Sequence, residues 1–473
     1  MAKKSKTLYQ CSTCGHKTFK WVGKCSQCRE WNTVEQYTVN LNHTNSVGNL
    51  AARSPVESLV ELNDVSLNRA AYMATGIREF DRVIGGGFVV GSTTLLAGDP
   101  GIGKSTLLLQ AAAAIAKTGK KVLYATGEEG LEQIRLRGSR LGISGDRIFM
   151  VGTGNVSEIA EHMAQSDPIV VIVDSIQTTT HPDIDSPAGT VSQIRECASF
   201  LSHCARANRA ALVLSGHVTK DGSIAGPRVL EHQVDAVLQI SGDTSAPLRM
   251  LHGVKNRFGP TDEIGVFEMR EEGLCGISDP SQAFMKQRVK SVSGSAIAII
   301  VEGTRSLAVE IQALVTTSSM TSPRRVANGV DISRLHLIVA VLTKHMKLPL
   351  ANHDLLINVT GGLEIKEPAA DLAIALAIAS SMMDRPVIST VAVAGEIGLA
   401  GELRSIPRAD RRIFEAARLG FDNCLIPSSA DDTGSHKSVK VVRPSNVLEA
   451  VRFALESSSV GVKPEIEVEI SSS

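Results

Sequence analysis

Apolar runs of strand length alternate with helix-length segments through the middle of the chain. STTLLAG, KVLYATG, RIFMVG, PIVVIVDSI, AALVLSG and AVLQISG follow one another between residues 62 and 276. Strands alternating with helical patterns predict a mainly parallel α/β sheet. The stretch LHGVKNRFGPTDEIGVFEM, residues 251–269, adds two strands with a turn at Gly259-Pro260. Its first strand ends by presenting Lys255, Asn256 and Arg257, which alone reads as a solvated hairpin tip. Near SDPSQAFMKQ the pattern changes. Beyond it, SAIAIIVEG, SLAVEIQALV and alanine-rich helical segments predict a separate α+β domain. The polar stretch NLNHTNSVGNLAARSPVES reads as a linker, and EIEVEISSS as a frayed tail. These signals divide the chain into residues 1–38, a linker 39–61, an α/β domain 62–280, an α+β domain 281–460 and a tail 461–473.

Composition adjusts this picture modestly. A chain of 473 residues has room for about three domains of ~150 residues. Its 43% apolar and 21% charged content is ordinary for a soluble protein. The basic start MAKKSKTLYQ has no apolar region behind it, so no signal peptide is expected. The apolar stretch around Leu372 to Met383 is too short to span a bilayer, so no membrane partner is expected. A formal net charge of zero leaves nucleic-acid binding to local patches. Only 4% of residues are aromatic, which limits base stacking as a binding device. Of eight cysteines, four fall between Cys11 and Cys28, while Cys197, Cys204, Cys275 and Cys424 are scattered. That distribution suits a reducing cytoplasm and one metal site.

The clustered cysteines form two CxxC turns, Cys11/Cys14 and Cys25/Cys28, which together supply a tetrahedral thiolate shell for Zn²⁺. Four thiols leave no open position, so the zinc is expected to be structural. A second motif is GDPGIGKST, residues 98–106. Gly98, Gly101 and Gly103, together with Asp99, Pro100 and Ile102, form a loop whose backbone N–H groups can curl around the phosphates of ATP. Lys104 reaches the β/γ oxygens, Ser105 offers its hydroxyl to Mg²⁺, and Thr106 continues into the helix. The strand Thr93–Ala97 precedes this loop. KSTLLLQAAAAIAKTG follows as an amphipathic helix with its N-terminus toward the anion. Lys104 is expected to touch only solvent and phosphate.

Carboxylates stand at the ends of neighbouring strands. Asp174 closes PIVVIVDSI as the magnesium-side acid, and Glu128 closes VLYATGEEG where it can polarise the attacking water. Glu129 reads instead as a charge at a helix N-terminus. His217 ends ALVLSGHV; an uncharged imidazole there can sense the γ-phosphate, with a structural role as the alternative.

The order of P-loop, Glu128, Asp174 and His217 resembles the RecA-type ATPase core. With TGIREFDRVIGGGFVVGS, the four cysteines, KNRFG and EHQVDAVL added, the chain resembles, end to end, the RadA (Sms) family of bacterial DNA repair proteins. The resemblance implies a RecA-like P-loop ATPase core, an N-terminal C4 zinc knuckle and a Lon-protease-like C-terminal domain. It implies a DNA-dependent ATPase that forms a homo-oligomeric ring, expected to be a hexamer, and drives branch migration in a helicase-like manner. Its implied partners are single-stranded and branched DNA and the RecA recombinase. In RecA-like rings the nucleotide lies between subunits, so Lys255 and Arg257 would meet the γ-phosphate of a neighbour. They would share one strand face, with Asn256 pointing away and Phe258 anchored in the core.

The loops Thr178–Thr190 and Thr219–Arg228 would face the DNA path and be mobile; ordinary surface loops are the alternative, and only Lys220 and Arg228 carry positive charge there. In the Lon-like segment Ala369 stands where the nucleophilic serine would be and Asp410 where the lysine would be, so no peptidase activity is expected. A RecA-like signalling or regulatory ATPase that does not translocate on DNA is the competing reading.

Overall fold

The computed structural model describes residues 6–13, 17–18, 21–31, 33–39, 72–217, 228–242, 246–286, 288–320, 322–430 and 438–455. Cys14, the greater part of the expected linker, residues 219–227 of the second loop and the tail lie outside them. The chain divides into two compact units, Met1–Ser278 and Asp279–Ser473.

At the N-terminus β1 (Lys6–Cys11) pairs antiparallel with both β2 (Lys17–Thr18) and β3 (Val34–Val39). The α/β region opens with β4 (Tyr72–Met73), α1 (Arg78–Ile84) and β5 (Phe88–Val89), β4 pairing with β5. It continues through β6 (Thr93–Gly98), α2 (Lys104–Lys117), β7 (Val122–Thr126), α3 (Leu131–Arg140), β8 (Ile148–Val151), α4 (Val156–Ser166) and β9 (Val170–Asp174). Then come α5 (Val191–Ala207), β10 (Ala211–His217), α6 (Arg228–Gln233), β11 (Ala236–Ser241), β12 (Leu248–Asn256), β13 (Ile264–Arg270) and β14 (Gly273–Gly276).

These strands form a nine-stranded sheet in the order β14-β13-β12-β11-β6-β10-β9-β7-β8. From β11 to β8 every pairing is parallel, and β12 to β14 extend the sheet antiparallel. Both faces are covered. Leu96, Tyr124 and Ile172 enter one apolar cluster, while Leu95, Leu123 and Val171 enter the other. Adjacent residues thus feed opposite cores, which is why the strands read as unbroken apolar runs. The expected amphipathic character of α2 is corrected here. Leu107 to Leu109, Ala111 to Ala113, Ile115 and Ala116 are all buried, leaving only a narrow half-buried strip. Part of that strip is itself occupied, because the Gln110 side chain accepts from Leu274 N at 3.0 Å and so ties α2 to β14.

The second unit begins with α7 (Pro280–Met285), β15 (Ser295–Glu302), β16 (Arg305–Thr317), β17 (Arg325–Asn328), α8 (Ile332–His345) and β18 (His353–Val359). It ends with α9 (Asp371–Met383), β19 (Val391–Val393), β20 (Glu396–Ile397), β21 (Leu403–Arg404), α10 (Ala409–Arg418), β22 (Asn423–Leu425), β23 (Lys440–Val442) and α11 (Val447–Ala454). Seven of the strands make a mixed sheet, β17-β18-β16-β15-β19-β22-β23. In α9 every residue from Asp371 to Ser380 is buried, so the longest apolar stretch of the sequence is a core helix. No helix among the described residues is long and apolar enough to cross a membrane.

Candidate functional site

Strand β6 delivers the chain into the loop 99–103, and α2 starts directly at Lys104. Gly103 adopts φ +116°, and a Cβ there would lie 2.8 Å from Met269 Cε. Only glycine meets both demands. Ile102 is fully buried, and its carbonyl accepts from Arg249 Nε at 3.1 Å. Arg249, 3% exposed, also donates to Leu248 O at 2.7 Å, so a buried guanidinium braces the loop from beneath. Sequence reasoning missed it; a single arginine in the otherwise apolar strand LRMLHG was the only signal.

Lys104 is 5% exposed. Its ammonium donates to Gly98 O and Asp99 O, both at 2.9 Å, and meets His217 Nδ1 at 3.1 Å. The expectation that it touches only solvent and phosphate is therefore corrected: the loop's own carbonyls turn inward and hold it. Burial pushes its pKa below the ordinary lysine value, against the opposing pull of Asp174, Glu128 and Asp99. An ammonium has three protons and no acceptor, so His217 Nδ1 accepts and the ring proton sits on Nε2. That nitrogen lies 3.7 Å from Glu128 Oε2.

Glu128, with 51% of its side chain exposed, faces the same space as Lys104 and His217. Glu129 turns away and binds Arg137 at 2.6 Å. Parallel register sets Asp174 opposite Thr126 on β7, and Tyr124 Oη donates to Asp174 Oδ2 at 2.8 Å. Burial and the Asp174 charge push the Tyr124 phenol well above its usual range, so it stays a donor. Ser105 and Thr106 occupy the first turn of α2. The buried hydroxyls of Ser175 and Ser215 lack hydrogen-bond partners. Buried polar atoms are normally satisfied, so an orphaned hydroxyl beside Asp174 fits a hydrated cation next to bound phosphate.

KNRFG lies elsewhere. Antiparallel pairing puts Lys255 opposite Val237 and Asn256 opposite Ala236, whose parallel partners on β6 are Leu95 and Thr94. The motif thus sits at the start of β6, whereas the phosphate loop leaves its end. Lys255 Nζ donates to Glu231 O at 2.5 Å and Val234 O at 2.7 Å, capping the end of α6. Arg257 Nη1 reaches Asp235 Oδ1 at 3.3 Å and remains more than half exposed. Asn256 Nδ2 donates to Ile84 O at 3.0 Å. Phe258 is half-buried rather than anchored in the core, because the tip of the hairpin lies against the triple-glycine turn after α1. A Cβ on Gly259 would stand 3.0 Å from the Gly85 Cα, so side chains are excluded from that contact.

The first loop is well organised, contrary to the expected mobility. Gln193, 1% exposed, donates to Ile184 O at 3.0 Å and Ser186 O at 2.8 Å, and accepts from His181 N at 2.9 Å. Its exposed tip presents Asp183 and Asp185 and no lysine or arginine.

In the N-terminal knuckle the Sγ atoms of Cys11, Cys25 and Cys28 lie within 4.8 Å of one another, and Cys11 and Cys25 are buried. Three soft thiolates so placed fit a tetrahedral zinc ion. In the second unit Ala369 is buried among Ala409, Ile413 and Ala392, and Asp410 is exposed on α10. Next to Ala369, Glu367 is bound by the fully buried Arg412.

Residues 9–36 match a rubredoxin metal-binding domain, residues 57–223 an AAA domain, and residues 308–430 the ChlI subunit of Mg-chelatase. The DNA repair protein RadA of Listeria monocytogenes is 42% identical over 96% of this chain and 100% of its own length. RadA of Mycobacterium tuberculosis is 43% identical over 96% of this chain and 94% of its own. RadA of Escherichia coli is 42% identical over 91% and 94%. The chain belongs to the RadA family of DNA repair proteins. As a RadA family member it is an ATPase with a RecA-like P-loop core, an N-terminal zinc knuckle and a Lon-protease-like C-terminal domain.

Proposed function

We propose that this RadA family ATPase is DNA-dependent and drives branch migration of recombination intermediates alongside the RecA recombinase. It works in the cytoplasm as a ring, read as a hexamer, on single-stranded and branched DNA. ATP binds with its phosphates against the amides of residues 98–106 and with Lys104. Ser105 and Asp174 hold Mg²⁺, which neutralises phosphate charge. Glu128 orients the attacking water, and His217 links it to Lys104. Lys255 and Arg257 supply cations to the nucleotide of the adjacent subunit. In the zinc knuckle, Cys14 completes the shell begun by Cys11, Cys25 and Cys28.

The observation that carries this reading is the placement of KNRFG at the end of β6 opposite its own phosphate loop. Cations there are of no use to the nucleotide of the same subunit; Arg257 is exposed, and Lys255 would leave the α6 carbonyls that now hold it to meet a neighbour's phosphate. Trans-acting cations are worth about 10³-fold or more in rate. Lys255→Ala is therefore expected to bind ATP and DNA, yet to fail in three-strand branch migration. Mixing it with Glu128→Gln chains should restore part of the hydrolysis, because some interfaces then pair an intact Glu128 with an intact Lys255. Normal branch migration by Lys255→Ala would remove the reading. So would mixed rings in which nothing is restored.

The acidic tip at Asp183 and Asp185 favours the competing reading, a regulatory ATPase that does not translocate on DNA. Hydrolysis rates with and without single-stranded DNA separate the two.

A further inference from the structure

Glu128 is held by very little of its own. Its side chain is half exposed, and His217 Nε2 is 3.7 Å away. The backbone before it is another matter. Gly127 N donates to Asp174 O at 3.2 Å, fastening the turn to the end of β9. A Cβ on Gly127 would come within 2.6 Å of Thr178 Oγ1, 3.2 Å of Thr178 Cβ and 3.3 Å of Gly154 Cα. Gly127 does not have a left-handed backbone, so space alone demands glycine here.

Thr178 is fixed from three sides. Its hydroxyl donates to Ser175 O at 2.9 Å. A Cβ on Gly154 would be 2.5 Å from Thr178 O, so that turn closes on it from behind. Two residues on, Thr180 N donates to Gly154 O at 2.8 Å and Thr180 O accepts from Val156 N at 3.1 Å. Thr178 is also the first residue of the loop that Gln193 organises. The turn bearing Glu128 therefore rests on the root of a rigid loop.

We infer that Thr178 is a positioning residue for hydrolysis: it sets the Gly127–Glu128 turn, and so the Glu128 carboxylate, by direct steric contact. This rests on the reading of Glu128 as the residue that orients water. Thr178 acts through Gly127, so its effect belongs in kcat and not in ATP affinity. A misplacement near 1 Å costs up to about 10²-fold in rate, and the overlap at Gly127 is large enough to demand a shift of that order.

The test uses the full chain, ATP and a size swap. Gly127→Ala is expected to lower kcat about 10- to 100-fold at unchanged ATP affinity. Thr178→Ala removes the support and lowers kcat less, about threefold to tenfold, while Thr178→Ser keeps Oγ1 and the wild-type rate. The double variant Gly127→Ala/Thr178→Ala refills the space with the new methyl and should recover most of the loss. A Gly127→Ala chain with wild-type kcat overturns the inference. So does a double variant no faster than Gly127→Ala, or a change confined to ATP affinity. Should Gly127→Ala unfold at the assay temperature, Thr178→Ala against Thr178→Ser decides alone, since equal wild-type rates would refute the contact. Glu128→Gln is measured in parallel. If it still hydrolyses ATP, the reading of Glu128 has failed; if it is inactive and the swap has no effect, only the positioning role has.

Discussion

The two large units use buried charge in opposite ways. In the ATPase unit Lys104 at the start of α2 converges with His217, Glu128 and Asp174 from the strand ends, and Glu128 and His217 remain 3.7 Å apart. In the Lon-like unit the charges are closed off in pairs. Arg334 grips Asp371, Arg412 grips Glu367, and Arg418 joins Glu415 to Asp279. The first arrangement keeps groups ready for a phosphate that is not part of the fold. The second neutralises them inside it. Ala369 extends the contrast, because it packs a methyl group among apolar residues and leaves no polar atom to satisfy.

The largest expected effect tests the open site. Lys104→Ala should reduce turnover by at least about 10²- to 10³-fold, the loss usual for a preorganised charge donor. It should also lower stability. Gly98 O and Asp99 O each lose their bond to Nζ, and unsatisfied buried acceptors cost about 1–3 kcal/mol. Relief from burying an ammonium offsets part of that cost. ATPase assays and thermal melting on the same sample check both halves. A dead variant with unchanged stability would mean that the lysine is not held by its own loop.

That second half could not be read from the sequence. The P-loop, the strand-end acids and the cysteine pairs were legible because each depends on residues close in sequence with a fixed spacing. The alternation of strands and helices was legible because both sheet faces are buried. Three features were not. Arg249 reaches Ile102 across 147 positions, Gln193 folds a loop back onto its own helix, and Gly259 is required by Gly85. The first and third are set by register between distant segments and the second by a fold-back of 7 to 12 residues, none of which the apolar pattern encodes. The half-buried setting of Phe258 has the same origin, since the hairpin tip that carries it lies against the distant glycine turn at Gly85. The amphipathic reading of α2 failed because β14, far along the chain, covers part of its outer face.

The next effect, in stability alone, tests the closed pairs. Arg412 has no exposed surface and bonds Ile299 O at 2.7 Å as well as Glu367. Arg412→Ala strands a carboxylate and a carbonyl, and breaking one side of a buried pair costs about 3–5 kcal/mol. Basal ATP hydrolysis should persist, because the phosphate site is built wholly from the other unit. Replacing both partners, Glu367→Gln with Arg412→Met, removes both charges while keeping an acceptor for Val301 N and should cost much less than Arg412→Ala alone. If the double replacement is as damaging, the pair has a role beyond mutual neutralisation and the contrast between the units weakens.

The smallest effect lies at the edge of the Lon-like unit. Asp279 accepts from Arg418 Nη2 at 3.0 Å and, as the N-cap of α7, from Gln282 N at 3.1 Å. The hydrogen bond from Arg418 is the main cause holding its carboxyl below the ordinary value of 3.8, against partial burial. A depressed acid stabilises the fold above its unfolded pKa and loses that contribution as pH falls through the folded one. Both side chains are about one-third exposed, so the pair is worth only about 0.5–1 kcal/mol. Asp279→Asn keeps an acceptor for the helix cap and removes the charge. Urea unfolding should therefore show the variant less stable than wild type at neutral pH, with the gap closing as pH falls below the ordinary carboxylate value of 3.8 and the wild-type carboxyl is protonated. A gap that persists unchanged in acid would mean that the carboxylate charge is not the source of the stability, and that Arg418 is satisfied by Glu415 alone.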